Sequence, residues 1–298
     1  MKGSIDCMKL KKELYAWILM IPALFVLYFM IWRPQILGII WSFFKMEGYT
    51  PVSFAALKNY IDVVTNSDFL RILLNTCQYV IWSMIIGFIP PIIIAIILNE
   101  MKYGKGFFKV SLYLPTMLPT IAVMLMWYFV YYPDGSGLLN IFLGKFGIEP
   151  RLWLNDPNMV IPLIIISMTW KSMGSAMLLY FCALQSVNTE LYEAAIIDGA
   201  GLMKRVRYVT LPQISGIIIL NFVNQIIAVF QVMEQPMAMT GGGPNGASMS
   251  LGYQLYQYGF VSGRIGQALA LGGIMFIFLI LSTCFYFYLN RKVEQNLG

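Results

Sequence analysis

Six runs of apolar residues dominate the chain, near 14–32, 72–98, 109–131, 159–184, 213–233 and 265–289, and the polar residues gather between them. Each run is close to or above the ~20 residues an α-helix needs to cross a hydrocarbon core. The pattern predicts an all-α, polytopic integral membrane protein with six transmembrane helices. The first run follows a basic start, "MKLKKELYAWILMIPALFVLYFMIW", the layout of a secretory signal. Its length and the lack of a small-x-small cleavage site predict an uncleaved signal anchor. Cys7 precedes that run, so it is not placed as a lipoprotein attachment cysteine.

Composition agrees with this picture: of 298 residues, 59% are hydrophobic and 11% charged, with a mean hydropathy of +0.71. A soluble domain of this size is far more polar. The net charge of +6 does not indicate nucleic acid, because the bases are scattered between apolar runs and form no stripe. They indicate orientation instead. Lys2, Lys9, Lys11, Lys12, Lys102, Lys105, Lys109, Lys204, Arg205, Arg207, Arg291 and Lys292 fall on one side of the six-span layout. The other side carries seven bases matched by seven acids. The bias places both termini in the cytoplasm of a multi-pass membrane protein. On this layout residues 1–13 form a cytoplasmic N-terminal segment, 14–289 the six-helix domain with a cytoplasmic loop at 185–212, and 290–298 a cytoplasmic tail.

Candidate chemistry is thin. The chain has no His, which excludes triads, His-ligated metals and His proton relays. Cys7, Cys77, Cys182 and Cys284 are far apart and lack metal-ligand spacing. Neither a metal site nor a disulfide framework is expected. The nearest approach to a phosphate-binding loop, "YGKGFF" at Tyr103 to Phe108, lacks the upstream Gly and the following Ser or Thr.

The loop at 185–212 stands out by its polarity. In "ELYEAAIIDGAGLMKRVRYVTLP", Asn188 or Thr189 just upstream can cap a helix with Glu190 and Glu193 in its first turns. Asp198, Gly199 and Gly201 break it, and a second short helix carries Lys204, Arg205 and Arg207. Pro212 is expected in the first turn of the fifth span, where its missing N–H costs little. Ala194, Ala195 and Ala200 are expected to leave one surface smooth enough for close approach by another protein.

The order Glu193, Ala194, Ala195, three residues, Gly199, nine residues, then a β-branched residue, one more, and Leu211-Pro212 resembles the EAA loop of permease subunits in binding-protein-dependent ABC importers. Val209 stands where Ile is usual. "LYEAAIIDGA" resembles the carbohydrate-uptake branch, and "LKNYIDVV", "LLNTCQYV" and "MTGGGPNGAS" extend the resemblance over nearly the whole chain. It implies that Glu193, Ala194, Ala195, Asp198, Gly199, Ala200, Leu211 and Pro212 couple the chain to two cytoplasmic ATPase subunits, which bind ATP and Mg; this chain itself would hold no cofactor. It also implies a second homologous permease and an extracytoplasmic solute-binding protein near Gly241, Gly242, Gly243 and Pro244. A plain external turn accounts for that last segment equally well, and a merely solvated loop with basic anchors is the plain alternative for the first.

A solute path is read from amides in the fifth span. Asn221, Asn224, Gln225 and Gln231 recur at helical spacing, with Asn221, Asn224 and Gln231 on roughly one face. Uncharged amides are costly in lipid, so they face a water-lined path or glue helices together. Amides of this kind suit a sugar-like substrate, with which they exchange hydrogen bonds. Trp170 can stack on a sugar ring or simply pack. Lys171, the only charge well inside a span, can snorkel, pair with an acid, or mark where the fourth helix meets a cavity. The expected function is a non-enzymatic transport subunit for an oligosaccharide or similar polyhydroxylated solute. An ion-gradient-driven secondary transporter is the alternative, disfavoured by the lack of a membrane-centred acid.

Overall fold

The computed structural model describes Tyr15 and residues 17–297, so the expected cytoplasmic segment 1–13, with Cys7 and four of the basic residues, lies outside the described residues. Two compact units share the chain. One takes the chain up to Thr65 together with Tyr258–Gly273, the other Asn66–Gln257 together with the chain from Ile274.

In the first unit, helix α1 (Trp17–Trp41) is a membrane-length apolar helix with none of its residues buried. Such a surface suits lipid and nothing aqueous. An antiparallel hairpin follows, β1 (Phe44–Glu47) with β2 (Thr50–Phe54), paired from Phe44 with Phe54 to Glu47 with Thr50. It is a short departure from the all-α expectation. Helix α2 (Lys58–Val64) carries the "LKNYIDVV" motif, and two of its side chains explain the motif. The Asn59 amide donates to the carbonyls of Ser42 and Phe44, at 2.8 Å each, and the Tyr60 hydroxyl lies 2.7 Å from that of Ser42. Gly266 and Gly273 allow the last helix to close on them: a Cβ at either would lie 2.7 Å from Asn59 Oδ1 or the Tyr60 hydroxyl.

The second unit holds α3 (Phe69–Glu100), α4 (Lys105–Met117), α5 (Thr120–Val130), α6 (Leu138–Gly144), α7 (Val160–Gln185), α8 (Thr189–Ile197), α9 (Leu202–Gln213), α10 (Ser215–Phe230), α11 (Glu234–Thr240) and α12 (Leu251–Tyr256). Helix α13 (Ile265–Leu297) runs from the first unit into the second. Among the described residues four helices, α1, α3, α7 and α13, are long and apolar enough to cross a membrane unbroken. The expected third and fifth spans are instead bent pairs, α4 with α5 at 99° and α9 with α10 at 73°, and six spans result when each pair counts as one. Proline explains the first bend. Pro119 forces Leu118 into extended backbone, at φ −77° and ψ 143°, which ends α4. The second bend falls at Ile214, and the Ser215 hydroxyl donates to the Pro212 carbonyl there at 2.7 Å. Pro212 therefore sits near the end of α9, not in the first turn of the next helix.

Helix α7 is the centre of this unit. Its residues Val160, Ile161, Ile164 and Ile165 enter one apolar core with Tyr79, Met124 and Trp153, and its Met177, Tyr180 and Phe181 enter another with Ala95, Leu98 and Ile214. Gly174 lets α4 approach its backbone, since a Cβ there would lie 2.2 Å from the Leu112 carbonyl oxygen.

Candidate coupling loop and solute path

The α8–α9 loop is a helix-break-helix built by local rules. Asn188 is its N-cap: its Oδ1 accepts from the Glu190 N–H at 3.0 Å, and Glu190 places a negative charge at the positive helix end. Helix α8 ends with Gly199 at φ +75°, where the Gly199 N–H bonds the Ile196 carbonyl and the Ala200 N–H the Ala195 carbonyl. That pair of bonds is a Schellman closure, which requires the left-handed residue Gly supplies. Gly201 then starts α9. A hydrogen-bond contact of 3.1 Å between the Tyr192 and Thr210 hydroxyls ties the two helices, and Arg205 reaches Glu100, the last residue of α3, at 4.0 Å.

Glu193, Ala194, Asp198 and Gly199 are exposed, while Ala195, Ala200, Leu211 and Pro212 are half-buried. Beside these small residues the loop presents more than the smooth surface expected of it. Its tip projects Ile196, Ile197, Leu202 and Met203, with Ile197 85% and Met203 78% exposed. Exposed apolar residues of this kind on a polar loop are candidates for a contact surface. Sequence reading overlooked it because apolar residues are unremarkable in so apolar a chain.

The five residues expected along the path separate. Gln225 lines a cavity of about 190 Å³ between α5, α7, α10 and α11, together with Thr120, Thr169, Lys171, Ser172 and Gln235. Lys171 thus marks where the helix meets a cavity, and it takes part in none of the ion pairs found among the described residues. Asn221 is half-buried and donates to the Ile217 carbonyl one turn back at 3.0 Å; Asn224 is exposed. Helix α10 stops at Phe230, so Gln231 is its C-cap residue, and it is exposed. Trp170 packs edge-on against Trp127, with ring centroids 5.9 Å apart, at the margin of the core. Thr169, Ser172 and Gln235 had no signal in the sequence, since isolated hydroxyls and one amide in an apolar run carry no periodicity.

The segment from Met239 to Ser248 is turn-rich, as expected, and firmly held. Asn75 donates to the Gly246 and Met249 carbonyls at 2.8 and 3.0 Å, and the Tyr79 hydroxyl donates to the Ser248 carbonyl at 3.0 Å. Thr76 accepts from the Leu251 N–H at 3.0 Å. The "LLNTCQYV" motif on α3 is therefore the clamp for this turn. Gly241, Gly243 and Pro244 line a second cavity, of about 570 Å³, with Tyr128 and Tyr132; Gly242 is buried beside it.

A helical membrane domain with two bent spans, a protruding capped loop and a cavity carrying hydroxyl and amide side chains among its helices is the architecture of a transport subunit. Residues 87–295 match the family described as the inner membrane component of binding-protein-dependent transport systems, and the chain belongs to that family. It is a membrane-embedded, multi-pass permease subunit of an ABC importer and not itself an enzyme. Among its relatives is AraP, the arabinooligosaccharides transport system permease protein of Bacillus subtilis (strain 168), 31% identical over 232 residues that cover 77% of this chain and 74% of AraP. MalF, the trehalose/maltose transport system permease protein of Thermococcus litoralis, is 28% identical over 286 residues, covering 95% of this chain and 96% of MalF. The fold is shared with a chain in the crystal structure of a bacterial ABC transporter involved in the import of the acidic polysaccharide alginate: TM-score 0.83, 22% identity, covering 95% of this chain and 97% of that one. Membership in this family leaves the ion-gradient-driven alternative without support.

Proposed function

We propose that the chain moves an oligosaccharide or a related polyhydroxylated solute into the cell, and the observation that carries this reading is the set of hydroxyl and amide side chains that share the cavity around Gln225 with Ile165, Met168, Ala228 and Val229. Thr169, Ser172, Gln225 and Gln235 line that cavity amid apolar helices. Hydroxyls and amides both donate and accept, which matches a solute made of hydroxyl groups. The names of AraP and MalF add support, since both are transport permeases for oligosaccharides or disaccharides. Asn224 and Gln231, exposed on this chain alone, are available to a path shared with a second homologous permease. Trp170 is assigned to packing.

In the working assembly this chain pairs with that second permease, two cytoplasmic ATPase subunits that bind ATP and Mg, and an extracytoplasmic binding protein. Both termini and the α8–α9 loop face the cytoplasm. The loop seats its apolar tip, Ile196, Ile197, Leu202 and Met203, in the ATPase subunit, and the Glu193 carboxylate adds a charge-assisted hydrogen bond at the rim. The segment Gly241–Pro244 lies on the opposite side, next to the docked binding protein. The test is uptake by the complete complex in lipid vesicles, with maltotriose, arabinotriose and an alginate pentasaccharide as probes. ATP-dependent accumulation of at least one is expected, reduced about tenfold or more by Gln225→Leu with the complex intact. Accumulation of none would remove the carbohydrate reading, and an unchanged Gln225→Leu variant would remove the cavity from the path.

A further inference from the structure

We infer that the 570 Å³ cavity beside Gly241 and Pro244 is a second sugar-binding subsite, a vestibule that takes one end of the solute before it reaches the cavity around Gln225. This rests on the carbohydrate reading and on the outward orientation given above. Its volume lies within the roughly 300–1,000 Å³ of small-molecule sites. Tyr128 on α5 and Tyr132 just beyond it line one wall, their rings 5.5 Å apart and almost perpendicular at 84°. Asn155, Met239, Gly241 and Pro244 contribute to the rest. Aromatic rings offer a sugar an apolar surface to pack on, and hydroxyl and amide groups beside them fix its orientation.

Three polar groups at this cavity are unspent. Among the described residues, neither the Tyr128 and Tyr132 hydroxyls nor the Asn155 side-chain amide makes a hydrogen bond. The walls around them are held in place. Asn140, 3% exposed, donates to the Asp134 and Arg151 carbonyls at 2.8 and 3.0 Å, and accepts from the Arg151 N–H at 3.1 Å and Trp153 Nε1 at 2.7 Å. It thereby anchors the stretch that runs from Tyr132 to Asn155. On the opposite wall, the clamp from Asn75 and Tyr79 fixes the turn after Gly241. Rigid walls around free donors and acceptors are the arrangement expected of a preorganised binding site and not of a loop that orders on contact.

The two classes of occupant, a sugar or a side chain of the binding protein, separate by kinetics. The complete complex is reconstituted in vesicles and supplied with binding protein loaded with whichever of maltotriose, arabinotriose and alginate pentasaccharide it transports. Tyr132→Ala and Asn155→Ala are expected to lower maximal uptake about tenfold, leave the half-saturating concentration of loaded binding protein unchanged, and lower the sugar moved per ATP hydrolysed. Tyr128→Phe and Tyr132→Phe keep the rings and the fold, and each is expected to change the ratio of uptake between two transported probes by about threefold. A raised half-saturating concentration with unchanged maximal uptake would assign the cavity to protein docking and overturn the proposal. Unchanged kinetics in all four variants would overturn it as well. Transport of none of the three probes by the unaltered complex would instead sink the carbohydrate reading, and this proposal with it.

Discussion

Asn140 shows how much one buried amide can hold. It was invisible in the sequence, because an isolated Asn in a short apolar helix carries no pattern, yet it pins two carbonyls, an N–H and the indole of Trp153. Asn140→Leu strands these groups, and each buried group left unpaired costs about 1–3 kcal/mol. Markedly lower thermal stability of the purified permease is the expected result; an unchanged unfolding temperature would contradict the role. Gly199 is the opposite case, legible from its spacing alone. Its φ of +75° was the expected conformation, but a Cβ there meets nothing within 4 Å, so inside this chain substitution costs conformation and not space. Gly199→Ala is expected to weaken the closure of α8 by about 1–2 kcal/mol, with Gly199→Val worse because of its branched Cβ. Faster amide exchange at Gly199 and Ala200, the two N–H groups that close the helix, would register it.

At the scale of elements, the apolar pattern located the four unbroken membrane-length helices, the two bent pairs and the capped loop, because all depend on local rules of length, capping and glycine. The bends were not legible. Whether a proline sits harmlessly at a helix start or ends the preceding helix depends on the backbone on both sides: Pro119 falls on the breaking side, while Pro212 stays within helical backbone and the bend follows at Ile214. The 11 residues of Thr120–Val130 span about 16 Å, too little to cross a membrane alone, so α4 and α5 work as a pair. Close packing was equally hidden. Gly174 looked like any small residue in a span, but it admits the backbone of α4 against α7. Gly174→Val is expected to disrupt this contact and cut the yield of folded permease severalfold, beyond the about 1–3 kcal/mol of ordinary overpacking, since the clash is with backbone. Gly216→Val on α10, where a Cβ meets nothing within 4 Å, serves as the tolerated control. Equal yields from the two variants would show that α4 and α7 do not depend on that contact.

For the whole molecule, the sequence carried the family and the loop but only part of the path: Gln225 reached the cavity, while Asn224, Gln231 and Trp170 did not. In the proposed assembly the path is shared with a second subunit, and burial of that kind is not written in one chain. Orientation is open to direct labelling. In a cysteine-free background, a membrane-impermeant thiol reagent applied to intact cells is expected to modify Glu149→Cys and to miss Lys204→Cys, and the reverse pattern would invert the topology. Coupling is tested at Ile197, which is 85% exposed, so that a charge there leaves the chain's own packing untouched. The measurement is binding-protein-stimulated ATP hydrolysis and solute uptake by the reconstituted complex carrying Ile197→Asp, with the amount of ATPase subunit retained by the permease. Loss of most retained ATPase subunit and at least tenfold slower uptake, with the permease folded in the membrane, is the expected result. Full retention of the ATPase subunit with normal uptake would contradict the assignment of the α8–α9 loop as the coupling element.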